Sequence, residues 1–282
     1  MPEHRGETVI VTGGGRGVGR AIAIELAGRG YSVAVLARSQ AEIDDTRGEI
    51  AAGGGRALAL CCDVRDGDAV ATAVASAAEL DPVTGLVNNA GTGLALGPLW
   101  TVDPTEWWTD IETSVRGAFN SCRAVIPGFI ERGAGRIVNV ASYVGVRPSP
   151  YQTGYAAGKA ALVNLTESLA VSLAPHGVQV FAFTPGFVDT ALTRRILETP
   201  TGRTWLPEVG TGTIVPAERG ARMVAALVSG EADRLTGRFV HALDELDDLV
   251  ARIGEIERDD LYAPRVRRLA TPSAAATRRR AR

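Results

Sequence analysis

Short β-branched runs alternate with longer alanine-rich stretches from the start of the chain to about position 241. Runs such as Thr8-Val-Ile-Val-Thr12 and Val178-Gln-Val-Phe-Ala-Phe183 are apolar almost without interruption, the pattern of parallel strands covered on both faces. Seven strands are predicted, at 8–12, 32–36, 57–62, 85–88, 135–141, 178–184 and 237–241. Helical periodicity falls between them, near 18–28, 40–52, 69–78, 105–131, 154–174 and 218–228. Strict alternation of this kind predicts an α/β fold, a Rossmann-like, doubly wound, seven-stranded parallel sheet in a single domain. One helix start is explicit. Asp103 can cap, Pro104 suits the first turn, and Glu106 stands where a capping box wants an acid, so the helix over 105–131 should carry Ser114.

Two segments fit no regular element. Residues 186–215 are rich in Gly, Pro and Thr and too long for a routine connection, which suggests a lid over a site. Residues 244–269 are highly charged, with Leu246, Leu249, Ile253 and Ile256 at helical spacing, and suggest an amphipathic appended helix. The expected division is a main domain over 1–243, a charged helical extension over 244–269 and a disordered basic tail over 270–282 that contains Arg278, Arg279, Arg280 and Arg282.

At 282 residues and 45% apolar content the chain can bury one large core. A formal charge of -2 argues against a nucleic-acid partner, which would need a basic excess on one face. Cys61, Cys62 and Cys122 are odd in number and without metal spacing, and His4, His176 and His241 are far apart, so neither a disulfide framework nor a metal site is expected. No signal-peptide pattern and no apolar run of membrane-spanning length is visible, so a cytoplasmic location and no membrane partner are expected.

Candidate chemistry begins with the chain's single lysine, Lys159, four residues after Tyr155. Every other basic position except histidine is arginine, so this place asks for a compact ammonium with a movable pKa. On a helix that spacing puts ammonium and phenol on one face, where the cation is expected to lower the phenol's pKa. Ser142 stands 13 positions before Tyr155, at the end of a predicted strand, where open parallel sheets collect ligands. Between the first strand and first helix lies Thr12-Gly-Gly-Gly-Arg-Gly-Val-Gly19, a loop whose amides can approach a pyrophosphate at a helix N-terminus.

With Gly13, Gly17 and Gly19 in Thr-Gly-x-x-x-Gly-x-Gly spacing, Asp63-Val64, Asn88-Asn89-Ala90-Gly91, Ser142, Tyr155 with Lys159, and Pro185-Gly186, in that order, the chain resembles the short-chain dehydrogenase/reductase family over about residues 8–241. The resemblance implies a hydride transfer between a nicotinamide and a carbonyl or secondary alcohol. Tyr155 would be the acid/base, Ser142 the hydrogen-bond partner of the substrate oxygen, and Lys159 the holder of the nicotinamide ribose. It further implies a dinucleotide on Gly13, Gly15, Arg16, Gly17, Val18 and Gly19, with Asp63 and Val64 at the adenine and Asn89, Ala90 and Gly91 beside the adenosine ribose. Pro185, Gly186, Val188 and Thr190 would hold the nicotinamide end. Ser114 stands where the family has an asparagine whose main-chain carbonyl helps hold a water leading to the lysine, which puts that proton relay in question.

Charge selects between the two dinucleotides. Where NAD-preferring enzymes carry an acid at the end of the second strand, this chain has Ala37 followed by Arg38, and Arg16 adds a second guanidinium. NADP (NADPH) is the expected cofactor, although either arginine could instead point to solvent. Leu94, Leu96, Leu99, Trp100, Phe187, Leu192, Ile196, Leu197 and Trp205 would give an apolar pocket for a cyclic, aromatic or polyketide-like carbonyl compound if they converge above Tyr155; the same residues also suit core or interface. Tyr143 and Tyr151 could add polar handles. Two other readings stand beside a ketoreductase: the same scaffold acting on an imine or enone or catalysing an elimination or cyclisation, and a non-catalytic NADP sensor. The resemblance also implies a homodimer or homotetramer through the helices at 105–131 and 154–174.

Overall fold

The computed structural model describes residues 4–207, 209 and 213–266. Its seven strands are β1 (Thr8–Thr12), β2 (Ser32–Ala37), β3 (Arg56–Cys61), β4 (Val83–Asn88), β5 (Gly135–Val140), β6 (Val178–Thr184) and β7 (Phe239–His241). They form one sheet in the order β3-β2-β1-β4-β5-β6-β7, with every pairing parallel. The chain winds outward from β1 in one direction and from β4 in the other, so a crevice opens above the carboxyl ends of β1 and β4.

The helices are α1 (Gly17–Gly28), α2 (Gln40–Ala52), α3 (Gly67–Ala78), α4 (Pro104–Ile111), α5 (Gly117–Arg132), α6 (Thr153–Leu173), α7 (Ala191–Glu198), α8 (Pro200–Trp205), α9 (Ala217–Ser229), α10 (Leu246–Ala251) and α11 (Ile253–Arg258). Alternation along β1 divides the core. Val9 and Val11 join Ile22, Leu26, Val224 and Leu227 on the face covered by α1 and α9. Ile10 joins Val70, Val125, Phe129 and Leu173 on the face covered by α3, α5 and α6.

Three elements differ from the sequence expectation. The helix expected over 105–131 begins as anticipated, with Asp103 accepting the Glu106 N–H at 2.9 Å. It is then interrupted by a π-turn, Glu112–Arg116, before continuing as α5. The wider turn meets two tight contacts: a side chain at Gly117 would press on Val64, and one at Gly158 of α6 would lie 3.1 Å from Ser114 Cβ. The seventh strand starts at Phe239 rather than Gly237, because Gly237 adopts φ of +82° and turns the chain into the sheet. The third difference concerns residues 244–269. In place of one appended helix there are two short ones, α10 and α11, and Leu249, Ile253 and Ile256 are buried in the same core cluster as β1 and α1. The charged residues fall on the outer side of this segment and hide from a composition reading that its apolar stripe completes the main core. After α11 the chain returns to the sheet edge, where Phe239 N–H donates to Tyr262 O at 2.8 Å. Residues 267–269 and the basic tail over 270–282 lie outside the described residues.

A shared core has a measurable consequence. Ile256→Ala should lower the unfolding free energy by about 2–4 kcal/mol, and far-UV circular dichroism during urea denaturation should still show one transition. An unchanged midpoint, or a separate early transition, would mean that the segment folds by itself.

Candidate functional site

The glycine-rich loop is locked to the end of β4 before any ligand is considered. Asn89 Nδ2 donates to Thr12 O at 3.0 Å and to Gly13 O at 3.1 Å, while Thr12 Oγ1 accepts the N–H groups of Asn89 (3.0 Å) and Ala90 (3.1 Å). Space explains the glycines. A Cβ on Gly13 would sit 2.9 Å from Ala90 Cα at a φ of +64°, and one on Gly19 would collide with the Gly13 carbonyl. Arg16 precedes α1 without capping it through its side chain, so the first amides of α1 keep their hydrogen-bonding capacity for an anion.

Above the strand ends runs a cleft of about 790 Å³. Every sequence-derived cofactor position lines it: the loop residues Gly13 to Gly19 named above, Arg38, Asp63, Val64, Asn89 to Gly91, Pro185, Gly186, Val188 and Thr190. Ser142, Tyr155 and Lys159 line it as well, whereas Ser114 does not. Ser114 is buried behind the cleft against Gly158, with its Oγ unpartnered.

The end of the cleft that carries Ser142, Tyr155 and Lys159 is built from β5, α6 and the loop after β4. Ser142 lies two residues past the end of β5 in an extended conformation, with its side chain beside the Tyr155 hydroxyl. Lys159, one helical turn beyond Tyr155, is 3% exposed and donates from Nζ to Val140 O at 2.6 Å. Its ammonium lies 5.5 Å from the Tyr155 ring centroid, and a Cβ on Gly91 would approach it to 3.2 Å. Burial without an anionic partner pulls the Lys159 pKa down to about 8. The phenol departs from the expectation that Lys159 would lower it. Burial pushes the Tyr155 pKa up, the neighbouring Ser142 side chain opposes this, and the charge of Asp110 adds to the rise.

Asn88, part of the Asn88-Asn89-Ala90-Gly91 motif, and several residues that the sequence left without a role support this arrangement. Asn88 Nδ2 donates to Asn139 Oδ1 at 2.9 Å, and Asn139 Nδ2 donates to Thr166 Oγ1 at 2.9 Å, so a buried polar chain runs from β4 through β5 to α6 and fixes Ser142 relative to Tyr155. Asp110, fully buried at the end of α4, accepts the N–H of Leu94 at 2.8 and 2.9 Å and that of Ala95 at 3.1 Å, which shapes the loop after β4. Gln152, 5% exposed on the cleft wall, has no partner for its amide nitrogen. The one available sequence signal was the presence of polar residues inside apolar runs, as at Asn139.

At the other end of the cleft, the two arginines differ from each other. Arg38 is exposed on the rim, and its charge helps to lower the Asp63 pKa, chiefly set by the hydrogen bond from Arg65. Arg16 is not a free cation: its Nη1 meets Glu42 Oε1 at 3.3 Å. Asp63 is likewise engaged, by Arg65 Nε and Nη2 at 2.7–3.1 Å. Thr190 caps α7, its Oγ1 lying 2.8 Å from Thr193 Oγ1, and its methyl faces Gly17.

The segment over 186–215 is more ordered than a featureless lid, since α7 and α8 occupy its middle; residues 208 and 210–212 lie outside the described residues. Arg195 Nη2 donates to Leu94 O at 3.0 Å, which docks α7 on the loop after β4. Of the expected apolar pocket, Phe187, Leu192 and Ile196 line the cleft. Leu94 and Leu96 are absent from its lining, Leu99 and Trp100 are exposed (56% and 86%), Leu197 points outward, and Trp205 packs on Tyr151 at 4.9 Å. Tyr143 turns away toward Arg147 and His241. The apolar wall is therefore smaller than the sequence suggested. Among the described residues there is no group of side chains able to hold a metal, and no helix long and apolar enough to cross a membrane.

The fit of a dinucleotide rests on the cradle that a Cβ would fill at Gly13 and Gly19, the uncapped amides of α1, and a cleft that runs from the two arginines to Tyr155. Comparison with known proteins agrees. The family model for short chain dehydrogenases matches residues 7–201. A short chain dehydrogenase of Pseudocercospora fijiensis is 37% identical over 279 residues, covering 92% of this chain and 88% of that protein. An acetoacetyl-CoA reductase of Shinella zoogloeoides is 36% identical over 235 residues, covering 83% and 95%. The crystal structure of an NAD⁺-bound xylitol dehydrogenase superposes with a TM-score of 0.79 at 27% identity, over 85% of this chain and 98% of that one.

The buried lysine generates a pH test. Its folded pKa of about 8 lies below the ordinary 10.5, so between about pH 8 and about pH 10 the unfolded chain holds a proton that the folded chain releases. Stability of the wild type relative to Lys159→Met should therefore rise by about 2 kcal/mol over that window in urea denaturation. A difference independent of pH would contradict the burial of a titrating amine. Sequence motifs, sheet order, site geometry and relatives converge: the chain belongs to the short-chain dehydrogenase/reductase family and is an oxidoreductase.

Proposed function

We propose that the protein is an NADP-dependent, ketoreductase-like enzyme that interconverts a small-molecule ketone and a secondary alcohol. The observation that carries this reading is the meeting of Ser142 and Tyr155 with the buried Lys159 at one end of a cleft whose other end carries Arg16 and Arg38. A nicotinamide bound in the cleft supplies or accepts the hydride. The chain's own residues do the rest. Ser142 orients the substrate oxygen, and Tyr155 gives that oxygen a proton in reduction or removes one in oxidation. The raised phenol pKa keeps Tyr155 protonated near neutral pH, which suits an acid in the reducing direction. Lys159, held by Val140 O beside Gly91, is placed to bond a ribose hydroxyl and to hold positive charge near the phenol.

The absence of an acid at Ala37, with Arg38 next to it, supports NADP over NAD. The name of the Shinella zoogloeoides relative, an acetoacetyl-CoA reductase, supports ketone reduction. Phe187, Leu192 and Ile196 give the substrate an apolar wall, which fits a compound with a cyclic or aliphatic body. Exposed Trp108 on α4, Phe119 on α5 and Val171 on α6 support a homodimer or homotetramer built on those helices, in keeping with a cytoplasmic enzyme.

Two variants test the reading. Tyr155→Phe should lower turnover of NADPH with a panel of cyclic ketones, quinones and polyketide-like carbonyls by at least about a hundredfold, with NADPH affinity held within about threefold. Normal turnover would remove Tyr155 as the acid. Arg38→Asp should shift preference toward NADH in steady-state comparison, and unchanged selectivity would refute the assignment of the dinucleotide.

A further inference from the structure

The rim beside the glycine loop carries a third charge besides those of Arg16 and Arg38. Glu42, in the first turn of α2, lines the cleft together with both arginines, and its Oε1 lies 3.3 Å from Arg16 Nη1. This carboxylate is fixed by its backbone. A Cβ on Gly15 would lie 2.8 Å from Glu42 Cβ, so α2 and the loop are in direct contact. One turn further on, the Thr46 hydroxyl is within 3.2 Å of Gly14 O and 3.3 Å of Gly15 O. Ser39 Oγ accepts the Glu42 N–H at 3.4 Å and so closes the start of the helix. The first turn of α2 is thereby pinned to the phosphate-facing loop, and an acid is carried beside Arg16 on a rim where another carboxylate, Asp63, is already engaged by Arg65.

We infer that Glu42 is a specificity-determining residue for the dinucleotide: its carboxylate competes with a 2'-phosphate for Arg16 and holds down the preference that the two arginines create. The inference rests on the reading of the protein as NADP-dependent. Two effects act in the same direction. Arg16 must loosen one contact to serve a phosphate, which is a small effect for an ion pair with side chains 66% and 37% exposed. The carboxylate then stays about two hydrogen-bond lengths from any phosphate oxygen that the same guanidinium holds, and like charges at that range repel even in water. With Asp63 neutralised by Arg65, the group of Arg16, Arg38 and Glu42 offers a net charge of +1 rather than +2 to a dianionic group. NAD carries a hydroxyl at that position and meets neither penalty.

Isothermal titration of the full chain with NADPH and with NADH, for the wild type and Glu42→Gln, tests the inference. At low ionic strength the substitution should tighten NADPH binding about fivefold and leave NADH within about twofold; the gain should shrink as salt is raised to about 0.5 M. Structural damage weakens binding and cannot imitate that gain. If the wild type prefers NADPH and Glu42→Gln binds it no more tightly, or less tightly because Glu42 orients Arg16, the role assigned to Glu42 is overturned while the NADP reading stands. A wild type without preference for NADPH overturns the NADP reading itself.

Discussion

The hydrogen bond from Lys159 Nζ to Val140 O, 2.6 Å long and buried, is the contact on which the reacting end depends. It joins α6 to the last residue of β5, two positions before Ser142, and so sets the separation between the strand that carries the serine and the helix that carries Tyr155. The buried chain Asn88–Asn139–Thr166 repeats that tie deeper in the sheet. A side chain that gives up most of its solvation for a single carbonyl is destabilising by itself, and its lowered pKa records the penalty. The family resemblance gives that position a use: a cation beside the phenol and within reach of a ribose.

The same logic of contact before ligand holds at the other end. Asn89 and Thr12 fasten the glycine loop to β4, and Thr46 with Glu42 fastens it to α2. A loop held from two sides would need little reordering to receive an anion, which would lower the entropic cost of binding. Electrostatics then separates the two ends of the cleft: arginines moderated by Glu42 at the rim, and at the reacting end a buried ammonium whose field is opposed by the Asp110 carboxylate.

Much of this was legible in the sequence because its signals are local. All seven strands start and end within two residues of the apolar runs, and the Asp103 cap, the glycine loop and the Tyr155–Lys159 spacing are read from neighbouring residues. What stayed hidden depends on distant partners. The π-turn at Glu112–Arg116 answers to Val64 and Gly158, neither of them near it in sequence. The apolar stripe of α10 and α11 reads as an appendage until it is seen against β1 and α1. Arg16 reads as a free cation until α2 brings Glu42 to it. Asp110 gives no sign in sequence that it is fully buried on three N–H bonds to the loop after β4. The phenol's upward pKa follows from depth, which no spacing of four residues reveals.

The central claim is that this cleft brings a nicotinamide and a carbonyl carbon together beside Tyr155 and Ser142. Isotope transfer tests it most directly: NADPH deuterated at C4 of the nicotinamide, on each face in turn, is turned over with a ketone from the panel and the alcohol is analysed by mass spectrometry. The account predicts one deuterium on the carbinol carbon from one of the two labelled faces. Alcohol formed without label from either face, or NADPH oxidised with no alcohol produced, would contradict it.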